Sequence, residues 1–159
     1  MKLYAVASDS LPLVVHFKVL KLMLIKVSGQ FTQASGEIHF NQKELNASFF
    51  DVQVDVSSIN SKNSKRDEHL KTSDFFDLDN HRFIDFKSNK IIKSLEGYYA
   101  VGELKIKDIK KTVDINFNGY GDNTLKGSLK LNRKDYRLGD KIPSLIIGNT
   151  IEIEFSLQV

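Results

Sequence analysis

The stretch "FDVQVDV", Phe50 to Val56, alternates an apolar with a polar residue along its whole length. Successive side chains of a strand point to opposite faces, so this period puts Phe50, Val52, Val54 and Val56 on one side and Asp51, Gln53 and Asp55 on the other. A parallel sheet, covered on both faces, would read apolar throughout. The pattern therefore predicts an antiparallel sheet with one dry face curled around a core.

The same period recurs on both sides of this stretch, in "GEIHFN", "FIDFKS", "KTVDINFNG", "GSLKLN" and "IEIEFSLQV". It turns Ile38 and Phe40, Ile84 and Phe86, then Val113, Ile115 and Phe117 inward, and at the end of the chain Ile151, Ile153, Phe155 and Leu157. Turn signals fall at Ser28-Gly29, Ser35-Gly36, Glu96-Gly97, Asn118-Gly119, Gly121-Asp122-Asn123 and Gly139-Asp140, a spacing of roughly eight to twelve residues that suits a barrel or sandwich. With 159 residues, the expectation is one all-β domain over 1–159, of about eight antiparallel strands.

Composition removes several classes of function. With no cysteine, a disulfide framework, a zinc-thiolate centre and a cysteine nucleophile are excluded. The net charge of +3 is carried mostly by lysine, with arginine only at Arg66, Arg82, Arg133 and Arg137. Without a basic run interleaved with aromatics, no nucleic-acid partner is expected. The opening "MKLYAVASDSLPLVVHF" is interrupted by Asp9 and Pro12 before an apolar signal region develops. The apolar run Leu11 to Ile25 carries His16, Lys18 and Lys21, so no transmembrane helix is expected. The expectation is a soluble protein, periplasmic if an export signal has been removed and otherwise cytoplasmic.

Nor does any motif nominate catalysis. His16, His39, His69 and His81 lack metal-ligand spacing, and there is no GxSxG elbow, GxGxxG loop or phosphate-binding loop. Asp67 and His69, two residues apart, would point to different faces of a helix and so do not form an oriented acid-base pair. No catalytic residue, metal or cofactor is expected.

One segment breaks the strand rhythm. Between about Asn60 and Asp77 the chain reads "SKRDEHLKTSDFFD" from Ser64 onward, a short helix with Ser61 or Ser64 as its cap and Asp67 and Glu68 near its positive end. Leu70, Phe75 and Phe76 give it an apolar underside, which an open barrel end would bury. Arg66 and Asp67 are then either a solvated helix face or the groups that lock the helix over that end.

The block "VDVSSINSKNSKRDEHLKTSDFFDLDNHRFIDFKS", Val54 to Ser88, resembles the YceI-like family in its Ser-Ile, Arg-Asp-x-His-Leu, Asp-Phe-Phe-Asp and Ile-x-Phe-x-Ser order. Weaker similarity extends through "FKVLKLMLIKVSGQF", "GYYAVGELKIKDIKKTVDI", "LNRKDYRLG" and "NTIEIEFSLQV". The chain departs from the family pattern at Pro12-Leu13 and Lys21, where a His-Ser pair and a histidine are usual, at Arg82 in place of proline, and at Asp108 in place of glycine.

The resemblance implies an eight-stranded lipocalin-like barrel with a helix at its mouth and an elongated apolar cavity for a long-chain isoprenoid, quinone-like or other apolar lipid. The lining expected on that basis is Phe17 and Val19 from the first long strand, Phe75 and Phe76 from the helical segment, and Ile84, Phe86, Ile115 and Phe117 from later strands. Arg66, Asp67 and His69 are expected at the mouth. The lipid would be a non-covalent ligand, a homodimer is left open, and the alternatives are a solid barrel used as an interaction module or an enzyme acting on a lipid.

Overall fold

The computed structural model describes residues 3–121 and 123–159; Asp122 of the Gly121-Asp122-Asn123 turn, and Met1 and Lys2 of the opening stretch, lie outside them. Among the described residues the chain forms β1 (Leu3–Ser8), β2 (Leu13–Lys21), β3 (Ile25–Phe31), β4 (Ala34–Asn41), β5 (Phe49–Asp55) and the two-residue β6 (Ile59–Asn60). A helix, α1 (Ser64–Leu70), precedes β7 (Phe83–Lys93), β8 (Tyr98–Ile106), β9 (Ile109–Tyr120), β10 (Thr124–Asn132) and β11 (Thr150–Gln158). All the strands belong to one antiparallel sheet in the order β1-β4-β5-β7-β8-β9-β10-β11-β2-β3-β6.

Among the described residues the strands number eleven, against an expectation of about eight, and the difference has a simple origin. β1 pairs with β4 and β2 with β3, so residues 3–21 and 25–41 form one long hairpin, bent in both arms. Pro12, which has no N–H for a ladder, lies in one bend, where Leu11 N donates across to Ala34 O at 2.8 Å. Because β4 pairs with β5 and β2 with β11, the bent hairpin brings the two ends of the sheet together. Eight strand paths result, with β6 added beside β3.

Three glycines expected in turns lie inside strands instead: Gly29 in β3, Gly36 in β4 and Gly119 in β9. Crowding explains them. A β-carbon at Gly29 would sit 2.4 Å from the Phe17 ring, and one at Gly119 would sit 2.4 Å from the Tyr4 hydroxyl. Gly29 and Gly119 make room for large inward side chains, a second use of glycine in strands, whereas Gly36, with φ of +127°, meets the backbone of Asp51 and Val52 in the neighbouring strand.

The inward faces fill one end of the barrel with aromatic rings. Phe117 packs on Phe40, Phe50 and Tyr98 at centroid distances of 4.9, 4.8 and 5.7 Å, and Tyr4 stacks on Phe40 at 5.9 Å. Leu125 and Leu157 complete this plug and are fully buried. Phe117→Ala is expected to lower unfolding stability by about 3–5 kcal/mol, read from the urea midpoint.

The helical excursion is fastened at its base. Arg82 donates to Asp55 Oδ2 from Nε at 3.3 Å and Nη2 at 3.1 Å, joining the end of β5 to the start of β7. Burial raises the Asp55 pKa, but hydrogen bonds from Ser57 and the Arg82 pair outweigh it, and the carboxyl is held below its ordinary value. Arg82, where the resemblance leads one to expect proline, thus supplies a contact that proline lacks.

Candidate ligand cavity and its mouth

Beyond the aromatic plug the barrel is hollow. A cavity of about 640 Å³ runs toward the opposite end, a volume within the usual range for small-molecule sites. Its walls are the inward faces that strand alternation predicts: Leu13, Val15, Phe17 and Val19 of β2, Ile84 and Phe86 of β7, and Ile151, Ile153 and Phe155 of β11. Phe50 forms part of the floor, since it touches both the cavity and the Phe117 ring.

Of the eight apolar residues expected to line a cavity, Phe17, Val19, Phe75, Phe76, Ile84, Phe86 and Ile115 do so. Phe117 does not. It faces inward as its strand period requires, but it lies at the plugged end, where neighbouring rings occupy the interior. Period two fixes a face, whereas the height along the barrel depends on register.

The lid is α1 with the turns that follow it. Its cap is Asn63, whose Oδ1 accepts from Arg66 N at 3.0 Å, in place of the expected Ser61 or Ser64. Ser61 has another role. Asp67 Oδ1 accepts from Ser61 N at 2.9 Å and from the Ser61 hydroxyl, while Arg66 donates through Nε to Ser61 Oγ at 2.9 Å and through Nη2 to Ser61 O at 2.7 Å. Ser61 directly follows β6, so Arg66 and Asp67 tie the helix to the sheet. Arg66 also borders the cavity, and Asp67 is spent on the tie.

His69 borders the cavity too, with Nε2 3.1 Å from Asp74 Oδ2 in an exposed pair and its ring edge-on to Phe75 at 5.1 Å. Phe76 meets Phe31 edge-on at 5.6 Å, and Phe31 touches Phe17 at 5.6 Å. The two phenylalanines thus divide the closure, Phe75 packing beneath the lid and Phe76 reaching the β2–β3 wall. At the lid's far end His81 Nε2 lies 3.9 Å from Asp77 and 3.7 Å from Asp108. The remaining histidines face away: His16 is exposed and His39 stacks on Phe49 at 6.0 Å.

The second wall of the mouth is the segment between β10 and β11, which the strand pattern does not disclose. Ile142, Ile146 and Ile147 line the cavity, and the signal for them is the apolar run "KIPSLIIG" inside an apparent loop. This segment hangs on Arg133. The side chain is buried, and its guanidinium donates to the carbonyl oxygens of Leu138, Gly139, Ile142, Ile147 and Gly148. Burial pulls its pKa down and the Asp140 carboxylate opposes that shift.

Gly139 carries the support across to the lid. Its N–H donates to Asp74 O at 2.7 Å, its φ is +63°, and a β-carbon there would stand 2.8 Å from Phe75 Cε1. Both the left-handed backbone and the close approach require glycine.

Comparison with known proteins places this architecture. A model of the YceI-like domain matches residues 9–159. The chain belongs to the YceI-like family. A UPF0312 protein of Staphylococcus aureus is 30% identical over 157 residues, covering 90% of each chain. In three dimensions this YceI-like chain is similar to Burkholderia cenocepacia BcnA, with a TM-score of 0.84 at 21% identity over 91% of this chain and 94% of that one. It is also similar to a polyisoprenoid binding domain from Saccharophagus degradans implicated in plant cell wall breakdown, with a TM-score of 0.66 at 14% identity over 98% and 97% of the two chains. Among the described residues no helix is long and apolar enough to cross a membrane.

Two expectations follow from the mouth of this YceI-like barrel. Arg133→Met strips five carbonyls of their donor, and is expected to cost about 3 kcal/mol or more, with faster hydrogen exchange across residues 138–148. The second concerns Tyr136, whose buried hydroxyl has no partner and whose pKa is pushed up to about 12, by burial first and the Asp135 carboxylate second. Above pH 10, the ordinary phenol value, the unfolded chain loses this proton while the folded chain keeps it. Stability contributed below that pH is therefore lost as pH rises toward 12. Tyr136→Phe is expected to leave stability at neutral pH equal or higher and to flatten the alkaline fall, measured by urea unfolding across that range.

Proposed function

We propose that this protein binds a long apolar lipid of the isoprenoid or quinone type in the barrel interior and stores or transports it without chemical change. The observation that carries this reading is the cavity of about 640 Å³, walled by aliphatic and aromatic side chains and bounded at one end by an aromatic plug. A solid barrel used only as an interaction module has no need of such a space.

The energetics suit a branched hydrocarbon. Burial contributes about 0.8 kcal/mol for each methylene-sized group, so a five-carbon unit supplies a few kcal/mol before ordering costs. Taking roughly the 30 Å³ that water occupies as a yardstick, the cavity holds on the order of twenty such groups. The aliphatic and aromatic walls between the plug and the mouth favour a ligand recognised there by shape and apolar area.

Polar groups gather at the mouth, where a head group would sit. Arg66, Asp67, Asn63 and Arg133 are engaged in fixing the lid and the facing loop, which leaves Lys21, Lys65 and His69 among the polar groups that border the opening. Lys21, at a position where the family usually has histidine, offers its ammonium group to that head group. His69 and Asp74 form an exposed pair at the mouth, away from the aliphatic and aromatic walls that would hold an apolar chain; binding without chemical change rests on those walls.

The test is native mass spectrometry of gently purified protein, followed by organic extraction and by incubation of stripped protein with a long-chain prenol. A bound mass of isoprenoid type is expected, and Ile115→Trp, which fills the tube from its wall, is expected to abolish uptake while costing no more than about 1–3 kcal/mol of stability. A wild-type protein that stays empty in both arms would overturn the reading.

A further inference from the structure

The cavity mouth is flanked by apolar side chains that face water. The turn between β2 and β3 presents Leu22, Met23, Leu24 and Ile25, with Leu24 87% and Met23 68% exposed. Beside it, Leu145 and Ile146 of the β10–β11 segment are also exposed. The two segments are joined: Leu22 N donates to Ile146 O at 2.9 Å, Gly148 N donates to Leu20 O at 2.8 Å, and Lys21 bridges to Ile147. They form one surface, and Lys21, Ile146 and Ile147 belong both to it and to the cavity lining.

The turn chemistry is unusual for its place. Leu22 and Met23 have φ of 52° and 62°, left-handed backbone that hairpins normally assign to asparagine and glycine. Leucine and methionine there are conformationally unfavourable and remain 52% and 68% exposed in the folded chain. Such a choice fits a surface whose apolar groups are buried by something else.

Charge identifies what that is. From Ser10 to Ser35 the chain contains no aspartate or glutamate but carries Lys18, Lys21 and Lys26; from Lys141 to Ile151 it again has no carboxylate. Lys65 borders the same opening from the lid. Exposed leucine, methionine and isoleucine rimmed by lysines match a bilayer interface with anionic head groups, which attracts the cations while the apolar tips enter the acyl boundary.

We propose that the β2–β3 turn and the Leu145-Ile146 segment dock the barrel mouth onto an anionic lipid bilayer, so that the cavity opens toward the membrane. The docking itself stands on the exposed surface; its purpose, taking up or releasing an apolar lipid without passage through water, rests on the ligand reading above.

The test is flotation of the full chain with mixed phosphatidylcholine–phosphatidylglycerol vesicles and with pure phosphatidylcholine vesicles. Wild type is expected to float with the mixed vesicles and to bind the neutral ones about tenfold more weakly or worse, because the lysines lose their attraction. The variant Leu22→Asn with Met23→Gly and Leu24→Ser places residues suited to positive φ at the turn, so thermal stability should be kept or raised while flotation is lost. Wild type that ignores the mixed vesicles, or a variant that floats as well as wild type, overturns the proposal. So does sedimentation showing that the turn variant converts a dimer to a monomer while wild type ignores vesicles, since a second copy would then cover the surface. Cargo is read separately by native mass spectrometry: bound lipid without flotation defeats the docking alone, and flotation of a protein that never carries lipid defeats only the ligand reading.

Discussion

The Arg133 guanidinium holds the open end of this barrel in shape. It is buried without a contacting carboxylate, and is stabilised by five backbone carbonyls from the segment that returns to β11. Losing water around a charge is costly unless its hydrogen-bonding capacity is met. Here the need of the cation and the need of an irregular loop cancel. Loop carbonyls that no strand satisfies receive donors, and the loop is fixed as a wall with Ile142 and Ile147 turned into the cavity. Through Gly139 the same wall braces Phe75 and the lid.

Against that fixed wall the two ends of the barrel differ because of side-chain size. At one end Tyr4, Phe40, Tyr98 and Phe117 meet in the middle and leave no space. Toward the other, valine, leucine and isoleucine line much of the tube and the rings stand at its wall or under the lid. Eight strand paths give a radius at which side chains just reach across, so aromatic rings fill it and aliphatic ones do not. A small compositional gradient along the strands thus becomes a blind tube.

The lid joins this arrangement by short polar ties. Arg66 and Asp67 clasp Ser61, Asn63 caps α1, and Asp55 with Arg82 closes the base of the excursion. These contacts mostly span few residues, which suits an element that must keep its place over an opening yet has little buried area of its own. The exposed apolar turn beside the lid has the opposite character. It adds little to the core, and its position next to Lys21 connects the cavity to the exposed apolar surface beside the mouth.

The sequence by itself determined which residues face inward, that the sheet is antiparallel, and that the chain from about residue 60 to 77 interrupts it, because side-chain alternation and its loss are local properties of the backbone; the cap, Asn63 in place of Ser61 or Ser64, was not fixed by the pattern. Val54 through Ser88 also carried enough order to indicate the family. Several features lay beyond local patterns. Phe117 faces inward as read, but only the register with Phe40 and Tyr98 puts it in the plug. Gly29 and Gly119 look like turn residues, yet they are glycines because Phe17 and Tyr4 approach from distant strands. Arg133 looks like one more surface cation until the loop folds its carbonyls around it. Tertiary structure decided these points, and with them whether the barrel is hollow, because cavity space and buried charge depend on which distant residues meet across the interior.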